Sequence, residues 1–288
     1  MAIKGLTTPV FGDYGYDGNK VSYSNGFVCG SAIEYSVEYD EPDSNDLYGD
    51  DHVIESDNEV FTTGTLTLST SDLTQLDSKR LLGLKQVQVE VGEETVTENV
   101  YDSDAKKIPK GFGIIETHQI NNINKYRAVI LCRVNMNIPG EAATTKGESI
   151  EWQTKEIGGN ILRSDEQSSN YNQPWMRDAW FDTQQAAKTY LQTMLNAIGY
   201  LEVSSVAGST TGETVISVTP TAAAGNSYVY KAQNTTPSYN EDLTSWTALT
   251  VDTDMEIADG TTICVAEVTA QKKAVAAGIV VVSANKGE

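Results

Sequence analysis

Ile33, Tyr35, Val37 and Tyr39 alternate with Glu34, Ser36, Glu38 and Asp40 along GSAIEYSVEYD (30–40). Successive side chains on a strand point to opposite faces, so the segment predicts a half-buried strand with an acidic exposed face. The pattern resumes in EVFTTGTLTLST (59–70), where Leu66 and Leu68 are expected to face inward. Between them, 41–58 is polar and is predicted as a long loop joining two strands into an extended hairpin. Before them, the first thirty residues are rich in Gly and Tyr and read as an irregular arm.

Further along, SDLTQLDSKRLLG offers Ser71 as an N-cap and Gly83 as a stop, which predicts a short helix. LKQVQVEVG alternates again, with Val87, Val89 and Val91 expected inward and Gln86, Gln88 and Glu90 outward. KYRAVILCRVNMNIP (125–139) predicts a longer strand, and ESIEWQT is expected to bury Ile150 and Trp152. The strongest helical signal is DTQQAAKTYLQTMLNAIG. There Asp182 and Gln185 resemble a capping box, Ala187, Tyr190, Leu191, Met194 and Ile198 form one apolar stripe, and Gly199 is the stop. Beyond VAGSTTGE (206–213), read as a linker or first turn, only short strands follow: TVISVTP, NSYVYKAQ, TTICVAEVTA and AVAAGIVVVS. They predict a separate small β-sandwich, with the boundary near Glu202.

A length of 288 residues suits two domains, and the Thr, Ser, Val, Tyr and Gly bias favours β-structure. Charge narrows the partners. Forty acids against twenty bases give a net charge of −20, and no Lys or Arg occurs between Lys20 and Lys79. Gripping DNA, RNA or an anionic membrane surface needs the opposite balance. Cys29, Cys132 and Cys264 are far apart and odd in number, which suits buried free thiols formed in a reducing compartment. The first residues lack an apolar targeting segment and no stretch is long enough to span a bilayer, so folding in the cytoplasm is expected.

Candidate chemistry is sparse. His52 and His118 are the only histidines, and neither sits in a nucleophile or HExxH motif. GFGIIE at Gly111 is not a phosphate-binding loop, and Asp50 and Asp51 read as solvated acids rather than a catalytic pair. An EF-hand alignment with Gly49 at the turn puts Ser44, Asp46 and Tyr48 at the first three ligand positions. Too few of these can coordinate calcium, so no metal, cofactor or catalytic residue is expected. Trp246, Tyr228, Tyr230 and Tyr239 read either as core residues of the C-terminal sandwich or as a sugar-stacking platform.

GFGIIETHQINNINKYRAVILCRVNMNIPGEAATTKGESIEWQT (111–154) resembles the major tail proteins, or tail tube proteins, of long-tailed bacteriophages that infect Gram-positive bacteria. The elements that carry the resemblance are Gly111 and Gly113, Tyr126-Arg127-Ala128, Pro139, and the strand Thr145 through Thr154. LYGDDHVIESDNEVFTTGTLTLSTSDLTQL and WFDTQQAAKTYLQTML are similar to that family's returning hairpin and late helix. The bend NMNIPG is less aromatic than the family's, and TKEIGGNI lacks a proline. The resemblance covers about 1–202, and ADGTTICVAEVTAQKKAVAAGIVVVS in the remainder resembles small bacterial immunoglobulin-like modules.

The resemblance implies a mainly β chain: a tail-tube β-sandwich with a flanking helix and a long extended hairpin loop over 1–202, and an immunoglobulin-like decoration domain over 203–288. It implies no enzyme and a virion protein assembled in the host cytoplasm. The partners it implies are other copies in stacked hexameric rings, tail terminator and distal tail proteins, and DNA in transient, non-adhesive passage. A channel wall of this kind should be polar and negative, because positive side chains would hold phosphates. Glu34, Glu38, Asp40, Gln88 and Glu90 are the lumen-lining candidates. The 41–58 segment is the candidate contact between rings, through Asp43, Asp46, Asp50, Asp51, Glu55 and Asp57. Lys106, Lys107, Lys110, Arg127 and Arg133 are its candidate basic partners. The alternative is a secreted or surface adhesin with a carbohydrate-binding β-sandwich, which would need an export signal.

Overall fold

The computed structural model describes residues 2–40, 45–57, 60–71, 73–92, 94–103, 105–140, 145 and 154–287. The chain is mainly β, with two helices among the described residues. It divides into two compact units, one of residues 2–24 and 28–191 and one of residues 25–27 and 192–287.

In the first unit the strands are β1 (Ala2–Tyr16), β2 (Val21–Val28), β3 (Ala32–Asp40), β4 (Asn45–Gly49), β5 (His52–Asp57) and β6 (Thr63–Thr70). After helix α1 (Gln75–Leu82) come β7 (Lys85–Val91), β8 (Glu94–Val100), β9 (Lys110–Ile120), β10 (Ile123–Met136), β11 (Lys155–Leu162) and β12 (Met176–Phe181), then helix α2 (Gln184–Met194). One large sheet runs β2-β1-β9-β10-β11-β6-β3, with β12 also paired to β10. Two hairpins, β4–β5 and β7–β8, form sheets of their own.

The core of this unit sits under β9 and β10, whose near-continuous apolar runs are buried from Phe112 to Ile115 and from Ala128 to Cys132. Phe11 of β1 packs on Phe112 with ring centroids 5.1 Å apart. The predicted inward residues Leu66 and Leu68 are fully buried, and Ile157 and Ile161 continue their layer on β11. The sheet folds back on itself, because Tyr35 of β3 at one end of the order donates its hydroxyl to Glu116 of β9.

Several expectations are corrected. The first thirty residues are not an irregular arm. β1 and β2 are strands, and Val10 and Phe11 are fully buried. Register shifts between Ile3 and Gly5 and between Thr7 and Val10, with Thr8 at φ 57°, break the two-residue period that would have marked β1. Residues 45–57 are not a loop but the β4–β5 hairpin. Asp50 and Asp51 both adopt positive φ, 49° and 65°, the geometry of a two-residue turn of the I′ type, which Asp tolerates better than most residues.

The cap of α1 is Thr74, not Ser71, since its Oγ1 accepts from the Asp77 amide at 3.1 Å. Gly83 ends α1 in the left-handed conformation at φ 68°. On α2 the capping oxygen is that of Thr183, which accepts from the Ala186 amide, while Asp182 instead pairs with Lys125. Asn196, at φ 49°, turns the chain before the expected stop at Gly199. Val87, Val89 and Val91 do not face a core: all three are exposed on the β7–β8 hairpin, which forms a sheet of its own and is tied to α1 through Gln75 and Lys79. Ile150 and Trp152 lie outside the described residues.

The second unit holds β13 (Gly199–Tyr200), β14 (Glu202–Ala207), β15 (Glu213–Thr219), β16 (Ser227–Ala232), β17 (Thr247–Leu249), β18 (Asp254–Glu256), β19 (Thr262–Val268) and β20 (Ala274–Val281). A five-stranded sheet, β13-β20-β19-β16-β17, and a three-stranded sheet, β14-β15-β18, share a core built on Ile216, Ile263, Val265 and Val282. The other face of the larger sheet is covered too, by Leu243 and Trp246 packed with Val229, Cys264, Ala266 and Ala277. Coverage on both faces explains why β19 is buried from Ile263 to Val268 with no alternation. VAGSTTGE is a turn between paired strands, since β14 and β15 are antiparallel neighbours across it.

Candidate functional site

The acidic face expected of β3 extends over neighbouring strands. Cross-strand register lines up three rows, Glu34–Ser69–Glu156, Ser36–Thr67–Gly158 and Glu38–Thr65–Asn160, each with its β6 residue in the middle. Asn160 in turn stands beside Asn135 of β10. Glu34, Ser36, Glu38, Asp40, Thr65, Glu156, Asn160 and Asn135 are exposed, while Leu66, Leu68, Ile157 and Ile161 fill the opposite face. The alternation arises because Thr63, Thr65, Thr67 and Ser69 occupy every second position of β6, as Glu34, Ser36, Glu38 and Asp40 do on β3 and Glu156, Gly158 and Asn160 on β11.

The resulting surface is carboxylate, hydroxyl and amide. Across β3, β6 and β11 no Lys or Arg stands on it among the described residues. At its β10 end comes Arg133, whose charge is taken up by Asp165 at 2.9 Å and which lies over the Tyr14 ring. Neighbouring strands are about 4.8 Å apart and residues rise about 3.3 Å, so carboxylates at Glu34, Glu38 and Glu156 are roughly 10 Å or more from one another. At that distance water and salt screen most of their mutual repulsion.

Of the lumen-lining candidates, Glu34, Glu38 and Asp40 share this face. Gln88 and Glu90 do not. They lie on the separate β7–β8 hairpin, with Thr97 and Thr95 as their cross-strand neighbours. Glu156, Asn160, Asn135 and the β6 threonines were missed, although the alternation in TGTLTLST already set Thr65 and Thr67 opposite Leu66 and Leu68.

Of the hairpin candidates, Asp46, Asp50, Asp51 and Glu55 lie on β4–β5 and its turn, and Asp57 ends β5. Asp43 lies outside the described residues. The hairpin also exposes apolar residues absent from the expectation: Leu47 is 59% exposed, Tyr48 66% and Ile54 62%. Ile54 lies against Gly49, where an added Cβ would come within 2.1 Å of its Cδ1.

The basic candidates divide. Lys110 is corrected: its side chain is only 3% exposed and forms an ion pair with Asp13 inside the same subunit. Arg127 is engaged too, its Nε 2.8 Å from Asp178 and its Nη1 3.3 Å from Glu116, as is Arg133 with Asp165. Lys106 and Lys107 are exposed and have no ion-pair partner among the described residues.

His118 belongs to the fold. Its Nε2 donates to Glu116 at 2.8 Å and its ring packs on Trp180. His52 is exposed beside the hairpin turn, with Nδ1 3.0 Å from the Asp50 carbonyl. Burial pushes the Cys132 and Cys264 thiols up to about 11 and about 12. Among the described residues no three His, Cys, Asp or Glu side chains converge as metal ligands. In the second unit Tyr228 and Tyr230 pack in one core cluster and Trp246 in the other, on opposite faces of the sheet, so they share no stacking platform.

The chain matches no protein-family model and no curated protein.

Proposed function

We propose that this chain is the repeating subunit of a phage tail tube, assembled as stacked hexameric rings around a channel that conducts DNA. The observation that carries the reading is the cation-free face of β3, β6 and β11, with Glu34, Glu38, Asp40 and Glu156 among hydroxyls and amides. A wall of carboxylates and neutral polar groups keeps water at the surface and gives a passing polyanion nothing to bind.

The sheet's ends support the same reading. β3 ends the strand order, so its outer backbone groups pair with no strand among the described residues. Exposed edges invite uncontrolled strand addition, and a ring that joins sheets from neighbouring subunits removes them. The acidic residues of β3 discourage irregular pairing at this edge while leaving its backbone available to a matched neighbour. On this reading residues 1–202 form the tube and 203–288 an immunoglobulin-like decoration. The partners are other copies, terminator and distal tail proteins, and DNA in passage.

The adhesin alternative draws no comparable support, since Tyr228 and Tyr230 pack in one core and Trp246 in the other, on opposite faces of the sheet. Negative-stain electron microscopy of purified protein decides between them. Hollow tubes of uniform diameter are expected, and a protein that stays monomeric at high concentration sinks the proposal.

A further inference from the structure

With forty acids and twenty bases, two copies of this chain repel one another over most of their surface, and contact is favoured only where bases cluster. One such cluster surrounds α1. Lys79 and Arg80 lie in its last turn. The Lys106 backbone is held against the end of the same helix, because a Cβ at Gly83 would lie 2.2 Å from the Lys106 carbonyl oxygen. Lys107 follows, exposed like Lys106. Of the described acids nearby, Asp77 is engaged with Thr74 and Asp102 with Lys85.

Beside this cluster opens a cleft of about 370 Å³, lined by Leu73, Ser78, Tyr101, Ile138, Pro139 and Lys155. Its lining is mostly apolar, Tyr101 and Ile138 are more than half exposed, and Ser78 is one residue from Lys79 on α1. An apolar cleft with a basic rim fits a ligand that is apolar at its tip and acidic around it.

The β4–β5 hairpin has that composition. Leu47, Tyr48 and Ile54 are its most exposed apolar side chains, and Asp50, Asp51 and Glu55 surround them. We propose that the β4–β5 hairpin of one copy seats Tyr48 and its apolar neighbours in the Leu73–Tyr101–Ile138–Pro139 cleft of another. Asp50 and Asp51 then meet Lys106 and Lys107 on the receiving copy. The inference rests on the tube reading, and it names the surface that receives the hairpin. Apolar contact supplies the attraction, and the charge match sets register and excludes the acidic surfaces elsewhere.

Two single variants of the full chain, Tyr48→Cys and Ile138→Cys, test the contact when mixed under mild oxidation. The native cysteines are buried and do not compete. A disulfide-linked dimer is expected in the mixture and not in either variant alone. If the copies assemble but no such dimer forms, the docking surface is wrong and the tube reading stands. If they remain monomeric and no dimer forms, both fall. In a second arm, Lys106→Glu with Lys107→Glu should weaken self-association at least tenfold, and adding Asp50→Lys with Asp51→Lys should restore it. A swapped protein with native circular dichroism that fails to associate overturns the docking surface.

Discussion

Glu116 on β9 and Arg127 on β10 stand opposite one another in register, with Arg127 Nη1 3.3 Å from Glu116 Oε2. The carboxylate is 3% exposed and also accepts from the Tyr35 hydroxyl and from His118 Nε2. It therefore ties β3 to the middle of the sheet and holds the acidic strand at its edge. Burial alone would raise its pKa. The hydrogen bonds from Tyr35 and His118, with the Arg127 charge, outweigh that and hold it below the usual carboxylate range.

Because the folded pKa is depressed, Glu116 contributes stability above its unfolded value that is lost as pH falls through the folded one. Glu116→Ala, which removes the acceptor shared by the Tyr35 hydroxyl, the buried His118 ring and Arg127, should cost about 3 kcal/mol at neutral pH. Glu116→Gln should cost less, and its deficit against the native protein should shrink as pH is lowered below about 4. Urea titrations of both proteins at several pH values measure this. A gap that widens on acidification contradicts the assignment.

Gly83 should not tolerate a side chain. Its left-handed backbone alone costs a non-glycine residue about 1–3 kcal/mol, and the Lys106 carbonyl occupies the space a Cβ needs. Gly92, on the β7–β8 hairpin, has the same φ of 68° with nothing near its Cβ position. Asn tolerates this conformation, so Gly92→Asn should be nearly neutral while Gly83→Asn remains destabilising. Thermal denaturation separates the two, and equal losses at both sites argue against the close approach of Lys106.

The three thiols should resist modification in the folded state. Cys29, Cys132 and Cys264 are all buried, and burial raises Cys132 and Cys264 far above neutral pH, which leaves little reactive thiolate. Iodoacetamide at pH 8 should leave the native protein unmodified by mass spectrometry and add three groups after denaturation. Rapid native alkylation of Cys132 or Cys264 contradicts their burial.

These contrasts show how much was legible beforehand. Where one face of a strand is buried and the other wet, as on β6, the period of two revealed Leu66 and Leu68 directly. On β3 it marked the acidic row, although on the opposite face only Tyr35 and Val37 are half-buried and Ile33 and Tyr39 stay exposed. Where both faces are covered, as on β9 and β19, only an apolar run was visible. β1 was hidden because its bulges reset the period. The valines of β7 were misread because alternation reports a strand with two unlike faces, not which face meets a core. The hairpin turn needed Asp50 and Asp51 in left-handed conformations, which favours Asn or Gly, so DD gave little signal. Ion pairing was beyond reach of spacing: Lys110 and Asp13 are 97 residues apart in sequence.

The acidic face itself can be reversed. Glu34 and Glu38 are exposed and carry no ion pair among the described residues, so Glu34→Lys with Glu38→Lys should change folding stability by less than about 1 kcal/mol. If the face lines a channel, tubes of this variant should retain short duplex DNA at low salt and release it as salt rises, whereas native tubes retain none. Location is then read from nuclease sensitivity. DNA held inside a tube is shielded along its length, and DNA held on an outer wall is digested. Retained, protected DNA is the expected result. Retention without protection would put Glu34 and Glu38 on the outside of the assembly, and the acidic face would then need another explanation.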